Sequence, residues 1–392
     1  MLNGPFTPWP YYCDEEKNAV LAILDSNRVN YWTGNSGREF EKEFARFADS
    51  EYAVAVANGS VALDLAWKAL DMPPGSEIIV TSRTFLASVS SIVLAGYVPV
   101  FADISRDSQN ITYDTVKQCI TEKTACILCV HLAGWPCEMD DLLKLAKEHH
   151  LYVVEDCAQA HGAKYKGRSV GSIGDIGAWS FCQDKIISTA GEGGMVTTNN
   201  KSYWEKIWSY KDHGKSYSAV YEQSHPPGFR WLHESFGTNW RMTEIQSAVG
   251  RVQLQKMHTW ISKRTHYAEA IFDVARNFSG IRVPEIPDYI EHSFYKCYVF
   301  VEPECLQRGW DRDRIMDEIN QRGVPCFSGS CSEVYLEKAF ENTTYRPKNR
   351  LPVAKELGET SLMFLVHPTL TEEEIEKTCI VIKEVFSEAC QQ

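Results

Sequence analysis

The 392-residue sequence lacks an apolar run of the length that spans a bilayer, about 18 residues or more. Its first residues, MLNGPFTPWPYYCDEEK, lack the basic start and the apolar stretch of a signal peptide. The sequence also lacks an excess of positive charge, because its formal net charge at pH 7 is −12. Nucleic-acid-binding proteins neutralise phosphates with Lys and Arg. We therefore expect a cytoplasmic protein without a nucleic-acid or membrane partner.

The 13 cysteines lack the arrangement of a metal site. Cys126 and Cys129 match a CxxC spacing, but residues three apart on a strand point to opposite faces of the sheet. No second such pair follows, and His131, His161 and His213 lack the i, i+4 spacing of a helical ligand pair. We expect reduced, buried thiols, histidines with structural or pocket-lining roles, and no metal ion.

Short apolar runs alternate with helical patterns through the first half of the chain. The predicted strands, each separated from the next by a single helix, are Tyr52–Ala57, Glu77–Thr81, Val98–Ala102, 125–131 and Tyr152–Asp156. This order predicts βαβ units and a mostly parallel sheet covered on both faces. The pattern changes in the last third, which indicates a smaller α+β domain. We place the large domain at residues 1–255 and the small one at residues 256–392.

Two sequences of the form S/T-x-x-E predict capping boxes at helix starts. Ser36 and Glu39 form the first, before a stripe of phenylalanines, and Thr371 and Glu374 form the second, before the last helix. A long helix is predicted from Thr243 to about residue 267.

The stretch from Leu151 to Met195 holds the strongest candidates for chemistry. Asp156 ends a buried strand, where an acid could bind a protonated ring nitrogen, and Gln159 could meet a ring hydroxyl. Lys185 follows another apolar run and Ser180, on a loop bounded by glycines, where partial desolvation would favour Schiff-base formation. Each residue alone has an ordinary alternative, a strand-end acid or a solvated lysine. Together they indicate a covalent amine cofactor site.

Three other segments are ambiguous. Asn58-Gly59-Ser60 lies between a strand and a helix, where backbone N–H groups could hold a phosphate, or where Ser60 could simply cap the helix. Phe85 could lie on a ring face or belong to the core. The loop Tyr31-Trp32-Thr33-Gly34 could pack against a sugar or base, or fill the seam between domains.

Most of the chain resembles the pyridoxal-phosphate sugar aminotransferases of the DegT/DnrJ/EryC1/StrS group. The most specific matches are EDCAQAHG at residues 155–162, Ser180-Phe181-x-x-x-Lys185 with GEGG at residues 191–194, and GTNWRM at residues 237–242. The resemblance implies the aspartate aminotransferase fold (fold type I): a large domain on a seven-stranded, mostly parallel mixed sheet flanked by helices, and a smaller C-terminal α+β domain.

The resemblance also implies roles for single residues. Lys185 is expected to bind pyridoxal 5'-phosphate as a Schiff base and to carry the proton, and Asp156 to pair with the ring nitrogen. Gln159 is expected near the ring's phenolic oxygen, with Phe85 on the ring. Phosphate contacts are assigned to Gly59, Ser60, Val61, Ser180 and, from the other subunit of a homodimer, Asn239. Substrate contacts are assigned to Tyr31, Trp32, Thr33 and Arg241.

A lysine at position 185, where some relatives carry histidine and act as dehydratases, implies transamination. The resemblance implies transfer of an amino group from L-glutamate, through pyridoxamine 5'-phosphate, to a nucleotide-linked keto sugar. The favoured substrate is a UDP- or dTDP-4-keto-6-deoxy hexose, giving a 4-amino sugar for bacterial surface polysaccharide or glycan biosynthesis. The alternatives are a 3-keto sugar, a dehydratase on the same fold, and a non-catalytic binding protein. The chain departs from the usual pattern at residues 182–184 and 322–330, which border the sugar site in the family.

Overall fold

The computed structural model describes residues 6–225, 227–228 and 230–391. The helices are α1 (Asp14–Ser26), α2 (Ser36–Phe47), α3 (Gly59–Leu70), α4 (Leu86–Leu94), α5 (Tyr113–Lys117), α6 (Met139–His149), α7 (Lys201–Tyr210), α8 (Tyr217–Tyr221), α9 (Glu244–Ala275), α10 (Arg312–Gln321), α11 (Pro352–Thr360) and α12 (Glu372–Ala389). The strands are β1 (Tyr52–Val56), β2 (Glu77–Thr81), β3 (Val98–Ala102), β4 (Thr124–Val130), β5 (Tyr152–Asp156), β6 (Lys164–Tyr165), β7 (Arg168–Ser169), β8 (Ile176–Ser180), β9 (Gly194–Thr198), β10 (Ile281–Arg282), β11 (Ile290–Glu291), β12 (Cys297–Val301), β13 (Cys326–Phe327) and β14 (Ser361–Phe364).

The main sheet has seven strands in the order β1-β9-β8-β5-β4-β2-β3. The five strands from β3 to β8 are parallel, while β9 pairs antiparallel with both β8 and β1. The predicted mostly parallel mixed sheet is therefore confirmed. Its five parallel strands end at one edge, which is where ligands bind in sheets of this kind.

Apolar side chains cover both faces of this sheet, because successive residues of a strand point to opposite sides. Val80 and Leu128 pack with Trp67 of α3 on one face. On the other face Ile127 packs with Leu142 of α6, and Met195 packs with Phe40 and Phe44 of α2. The CxxC cysteines follow the same rule, since Cys126 belongs to the first core and Cys129 to the second.

A second, antiparallel sheet has the order β10-β12-β14-β13 and packs against α9, α10 and α12. Strand β14 is not predicted by the sequence patterns above, and α9 continues to Ala275, well past the predicted end. Because α9 runs unbroken through residues 255 and 256, the proposed division into two domains stays a prediction.

The two predicted capping boxes have different outcomes. Thr371 caps α12 and forms the box with Glu374, as predicted. The box at Ser36 is wrong, because Asn35 is the N-cap residue of α2 and Ser36 is already helical. The carboxylate of Glu244, distant in sequence and fully buried, accepts the N–H groups of Ser36 at 2.6 Å and of Gly37 at 3.0 Å. The acid that satisfies this helix start therefore comes from α9.

Among the described residues, no helix combines the length and the apolar character needed to cross a bilayer.

Glu244→Gln should lower the free energy of unfolding by about 1–2 kcal/mol, because an amide replaces one acceptor oxygen with a donor that faces the helix N–H groups. Urea denaturation at pH 7 measures this loss. The matched control is Glu39→Gln on the same helix, since Glu39 pairs with Lys42 at the surface and should change stability by about 0.5 kcal/mol or less. Equal losses in both variants would contradict the proposed role of Glu244.

Candidate active site

A cavity of about 500 Å³ lies at the carboxyl edge of the main sheet. It is bordered by the ends of β4, β5 and β8 and by the start of α3. Its walls bring together most of the predicted cofactor residues: Gly59, Ser60, Phe85, Asp156, Gln159, Ser180 and Lys185. The Phe85 side chain is 70% exposed, so its ring is available to a ligand instead of belonging to the core.

Asp156 is buried at the end of β5 and is oriented by two donors. The Ser88 hydroxyl donates to Oδ2 at 2.7 Å, and the Ala158 N–H donates to Oδ1 at 3.1 Å. Each carboxylate oxygen keeps further acceptor capacity, because it can accept more than one hydrogen bond. The arrangement suits a charge-assisted bond to a protonated ring nitrogen.

The neighbouring Glu155 is fully buried and points to the other face of the sheet. It accepts the N–H groups of Gly171, Ile173 and Gly174 at 2.7–2.9 Å and contacts Nε2 of His131 at 2.9 Å. The Cys137 N–H donates to Nδ1 of His131, which assigns the ring proton to Nε2. Burial alone raises the pKa of Glu155, but these donors outweigh burial and lower the pKa.

Gln159 is held by its carbonyl oxygen, which accepts the Ala133 N–H at 2.8 Å. Ala133 adopts a left-handed conformation with φ of 57°, an uncommon state for a residue with a side chain. Because the carbonyl is engaged, the amide NH₂ is the group left to donate into the cavity. That polarity suits a phenolate oxygen.

The start of α3 approaches β8 very closely. A Cβ on Gly59 would lie 2.5 Å from the Cβ of Ser180, so only glycine fits. The alternative that Ser60 caps the helix is wrong, because Asn58 is the N-cap residue and accepts the Val61 N–H at 2.9 Å. Val61 therefore has its N–H occupied and lies outside the cavity wall. Gly59, Ser60 and Ser180 line the cavity at the positive end of the helix, a place suited to a phosphate, and we call these three residues the cradle.

Lys185 lies on the opposite wall, with its side chain 15% exposed. Its Nζ is 3.9 Å from Asp184 and 5.2 Å from the centre of the Tyr295 ring. The Tyr295 hydroxyl donates to the Asp184 carboxylate. The indole N–H of Trp9 donates to the Lys185 carbonyl at 2.9 Å and so fixes the loop. Burial raises the pKa of Asp184, but the charge of Lys185 and the bond from Tyr295 outweigh it and lower the pKa.

The four residues assigned to substrate lie outside this cavity. Tyr31 is buried and donates to Glu41, and Trp32 packs in the same aromatic cluster, near Trp208. Arg241 donates to Asp212 at 2.6 Å, and Thr33 bonds the carbonyl of Asn30. Their roles in substrate binding stay predictions.

Asn239 also lies outside the cavity, exposed on the segment before α9. It pairs through its backbone with Asp212. Its assigned contact belongs to a second subunit and stays a prediction.

Several residues that build the site carry no local signal in the sequence. Ser88 lies in the middle of α4, Trp9 in the N-terminal segment and Tyr295 just before β12, and each reaches the site only through the tertiary fold. The serine-rich face of α4, Ser88 with Ser91, is the one pattern that could have drawn attention to Ser88.

The fold and the lysine–aspartate cavity define a fold type I aminotransferase. The profile of the DegT/DnrJ/EryC1/StrS aminotransferase family matches residues 10–383, and the chain belongs to this family.

Similar proteins of known name support the same class. The X-ray structure of the aminotransferase from Psychrobacter cryohalolentis matches with a TM-score of 0.96 and 59% identity, over 98% of this chain and 99% of that chain. The GDP-perosamine synthase of Escherichia coli O157:H7 is 34% identical, over 97% of this chain and 98% of its own length. A UDP-N-acetyl-3-dehydro-alpha-D-glucosamine 3-aminotransferase of Acidithiobacillus ferrooxidans is 30% identical, over 94% and 93%.

The cofactor of this chain is pyridoxal phosphate. The residues that line the cavity fit the chemical groups of this cofactor. The close approach of Gly59 to Ser180 places the start of the helix where it can hold the phosphate, the Asp156 carboxylate suits the ring nitrogen, and the Lys185 amine suits the aldehyde.

Gly59→Ala should weaken binding of pyridoxal phosphate about tenfold or more, because the new methyl group overlaps Ser180 and forces the cradle open. Equilibrium titration of the apoenzyme with the cofactor measures the change. Gly250→Ala is the matched control, since its Cβ would meet the Phe40 ring at 2.6 Å in the core away from the cavity. Both variants should lose thermal stability, but only Gly59→Ala should lose cofactor affinity. Similar cofactor affinities in the two variants would disprove the cradle.

His161 should make the protein less stable in acid. Burial, followed by the charges of Lys185 and Arg264, lowers its pKa to about 3, whereas the unfolded value is about 6.5. Below about pH 6.5 the unfolded chain therefore takes up a proton that the folded chain does not, and stability falls as the pH falls. Between pH 7 and pH 5 the His161→Gln variant should lose less stability than the wild type, by on the order of 1–2 kcal/mol. Urea denaturation at both pH values tests this, with the exposed His258→Gln as a control that should follow the wild type.

Proposed function

We propose that this protein transfers an amino group from L-glutamate to a nucleotide-linked keto sugar in the bacterial cytoplasm. The observation that carries the proposal is the meeting of Lys185 and Asp156 in one cavity with the phosphate cradle at Gly59 and Ser180. A lysine at position 185 supports transamination over dehydration, because its amine can accept and return a proton.

The residues divide the chemistry between them in this proposal. Bound pyridoxal phosphate supplies an electron sink for the carbon that loses a proton. Asp156 keeps the ring nitrogen protonated, and Ser88 keeps Asp156 in position. Nζ of Lys185 would take the proton from the amino donor's α-carbon and hold it for return later in the transfer. Asp184 and Tyr295 would orient Lys185, and the exposed Phe85 ring would shield the bound cofactor from water.

For the acceptor, we favour a 4-keto-6-deoxy hexose carried on UDP or dTDP and converted to a 4-amino sugar for surface polysaccharide. The relatives named for GDP- and UDP-linked sugars support a sugar nucleotide as the substrate class. The second of them is named as a 3-aminotransferase, and this favours a 3-keto sugar as the alternative.

We further propose a homodimer in which Asn239 reaches the phosphate of the partner's site. Asn239 is exposed, and Phe236 on the same segment is 99% exposed. An apolar ring in water at that position supports a covered surface in the assembled protein.

Lys185→Ala should abolish the reaction of the holoenzyme with L-glutamate, a loss of at least about 1000-fold, because the proton carrier is removed. Asp156→Asn should slow the same half-reaction about 100-fold or more while the cofactor remains bound, because an amide does not stabilise a protonated ring. Stopped-flow absorbance of the cofactor and release of 2-oxoglutarate measure both rates.

Cys182→Ser is the control, because Cys182 lines the cavity without holding any group assigned above. It should keep the glutamate half-reaction within about threefold. Turnover by Lys185→Ala at the wild-type rate would overturn the assignment. If glutamate reacts but no UDP-, dTDP- or GDP-linked keto sugar accepts the amine, the sugar part of the proposal fails while the aminotransferase part stands.

A further inference from the structure

A second, smaller cavity adjoins the active site and holds an unusual excess of positive charge. Its volume is about 170 Å³, and we call it the arginine cavity; Trp9, Arg264, Tyr295, Lys296, Phe327 and His367 line it. Asp184 lines both this cavity and the cofactor cavity, so the two meet beside Lys185.

Arg264 is the anomaly in this cavity. The side chain comes from α9 and is only 1% exposed. Its Nη1 donates to the carbonyls of Phe294 at 3.3 Å and Tyr295 at 3.4 Å. Its Nε and Nη2 have no hydrogen-bond partner among the residues that the structure describes. A buried guanidinium with two unused nitrogens is costly to the fold.

Within the described parts of the chain, no carboxylate acts as a counter-ion to Arg264. The one carboxylate at this cavity, Asp184, is engaged by Tyr295 and Lys185. The Trp9 ring lies 5.4 Å from the guanidinium carbon, a cation–π contact that satisfies no N–H group. Lys296 adds a second cation, and burial, with the charges of Arg264 and Lys185, outweighs Asp184 and lowers its pKa to about 8. Burial likewise lowers the pKa of Arg264 to about 9.

The two unpaired nitrogens of Arg264 indicate which kind of ligand would pair with them. Nε and Nη2 lie on the same edge of a guanidinium, and this edge matches the two oxygens of one carboxylate. The backbone carbonyls hold the opposite side, so the matching edge is fixed in advance.

We propose that the arginine cavity is the subsite for a carboxylate of the amino donor, bound in a bidentate manner by Arg264. This inference rests on the proposed aminotransferase function and names the residues that select the donor. The Tyr295 ring lines the arginine cavity, and its centre lies 5.2 Å from Lys185 Nζ, so this one side chain borders both the proposed subsite and the amine.

The other anion in the reaction, the diphosphate of the sugar nucleotide, fits this cavity poorly. A space of about 170 Å³ takes a carboxylate arm but not a diphosphate with its sugar and nucleoside attached.

The test uses the holoenzyme and compares wild type with Arg264→Gln and Arg264→Lys. Arg264→Gln should lower the second-order rate constant of the L-glutamate half-reaction about 100-fold, and it should weaken binding of glutarate, which has no amine, by a similar factor. Arg264→Lys keeps the charge without the fork and should fall between the two. Calorimetric binding of UDP, dTDP and GDP should stay within about twofold of wild type, which a general distortion of the site would not allow.

Arg83→Gln is the matched control. Arg83 is equally buried, has two nitrogens without partners among the described residues, and lines neither cavity. It reports the cost of removing a buried guanidinium, and its glutamate rate should stay within about threefold of wild type.

Unchanged glutamate rates and glutarate affinity in Arg264→Gln would overturn the inference, and so would a selective loss of nucleotide binding. If Arg264→Gln does not fold, the glutamate rate and the glutarate affinity are measured instead in Arg264→Lys and Lys296→Met. If wild-type holoenzyme does not react with glutamate at all, the proposed function fails instead, and the glutarate measurement still tests the cavity.

Discussion

The position of the active site depends on the buried carboxylate of Glu155. It draws together the end of β5, the turn at residues 171–174 before β8, and His131 at the end of β4. Removing that charge would leave three backbone N–H groups buried without an acceptor, a large cost inside a protein. Because adjacent strand residues face opposite sides, fixing Glu155 below the sheet also fixes Asp156 above it. The position of Asp156 in the cavity therefore depends on a neighbour that does not line the cavity.

Lys185 is likewise positioned by other residues of the chain. Asp184 belongs to the wall of both cavities, and it is bound by Tyr295 from one side and Lys185 from the other. Trp9 ties the same loop to the N-terminal segment and covers Arg264. Lys185 is thus positioned by residues from the start, the middle and the last third of the chain. A change in any of these supports would move Lys185 without altering the cofactor cradle.

The sequence predicted the parts of this structure that depend on local pattern. The strands of the main sheet, the lysine and the acid could be found because each follows an apolar run or a glycine turn. Ser88, Trp9, Tyr295 and Arg264 could not, since their partners lie far away in the sequence. The capping box at Ser36 failed for the same physical reason: Glu244, 208 residues away, supplies a buried acceptor to the helix start. The four-residue capping-box pattern contains no information about an acceptor so distant in the sequence.

A transaminase must admit two different substrates in turn to one lysine. Here the cofactor cavity is lined by residues 58–192, whereas the arginine cavity is built largely by residues 264–367. An anionic amino donor and a sugar can then be distinguished by charge at the boundary between these regions, without rebuilding the cofactor site. With this separation, residues at the sugar side of the site can change without altering the proposed donor subsite. Arg264 meets this requirement in the proposal. Burial of its unpaired charge destabilises the fold, and a bound donor carboxylate would offset that cost.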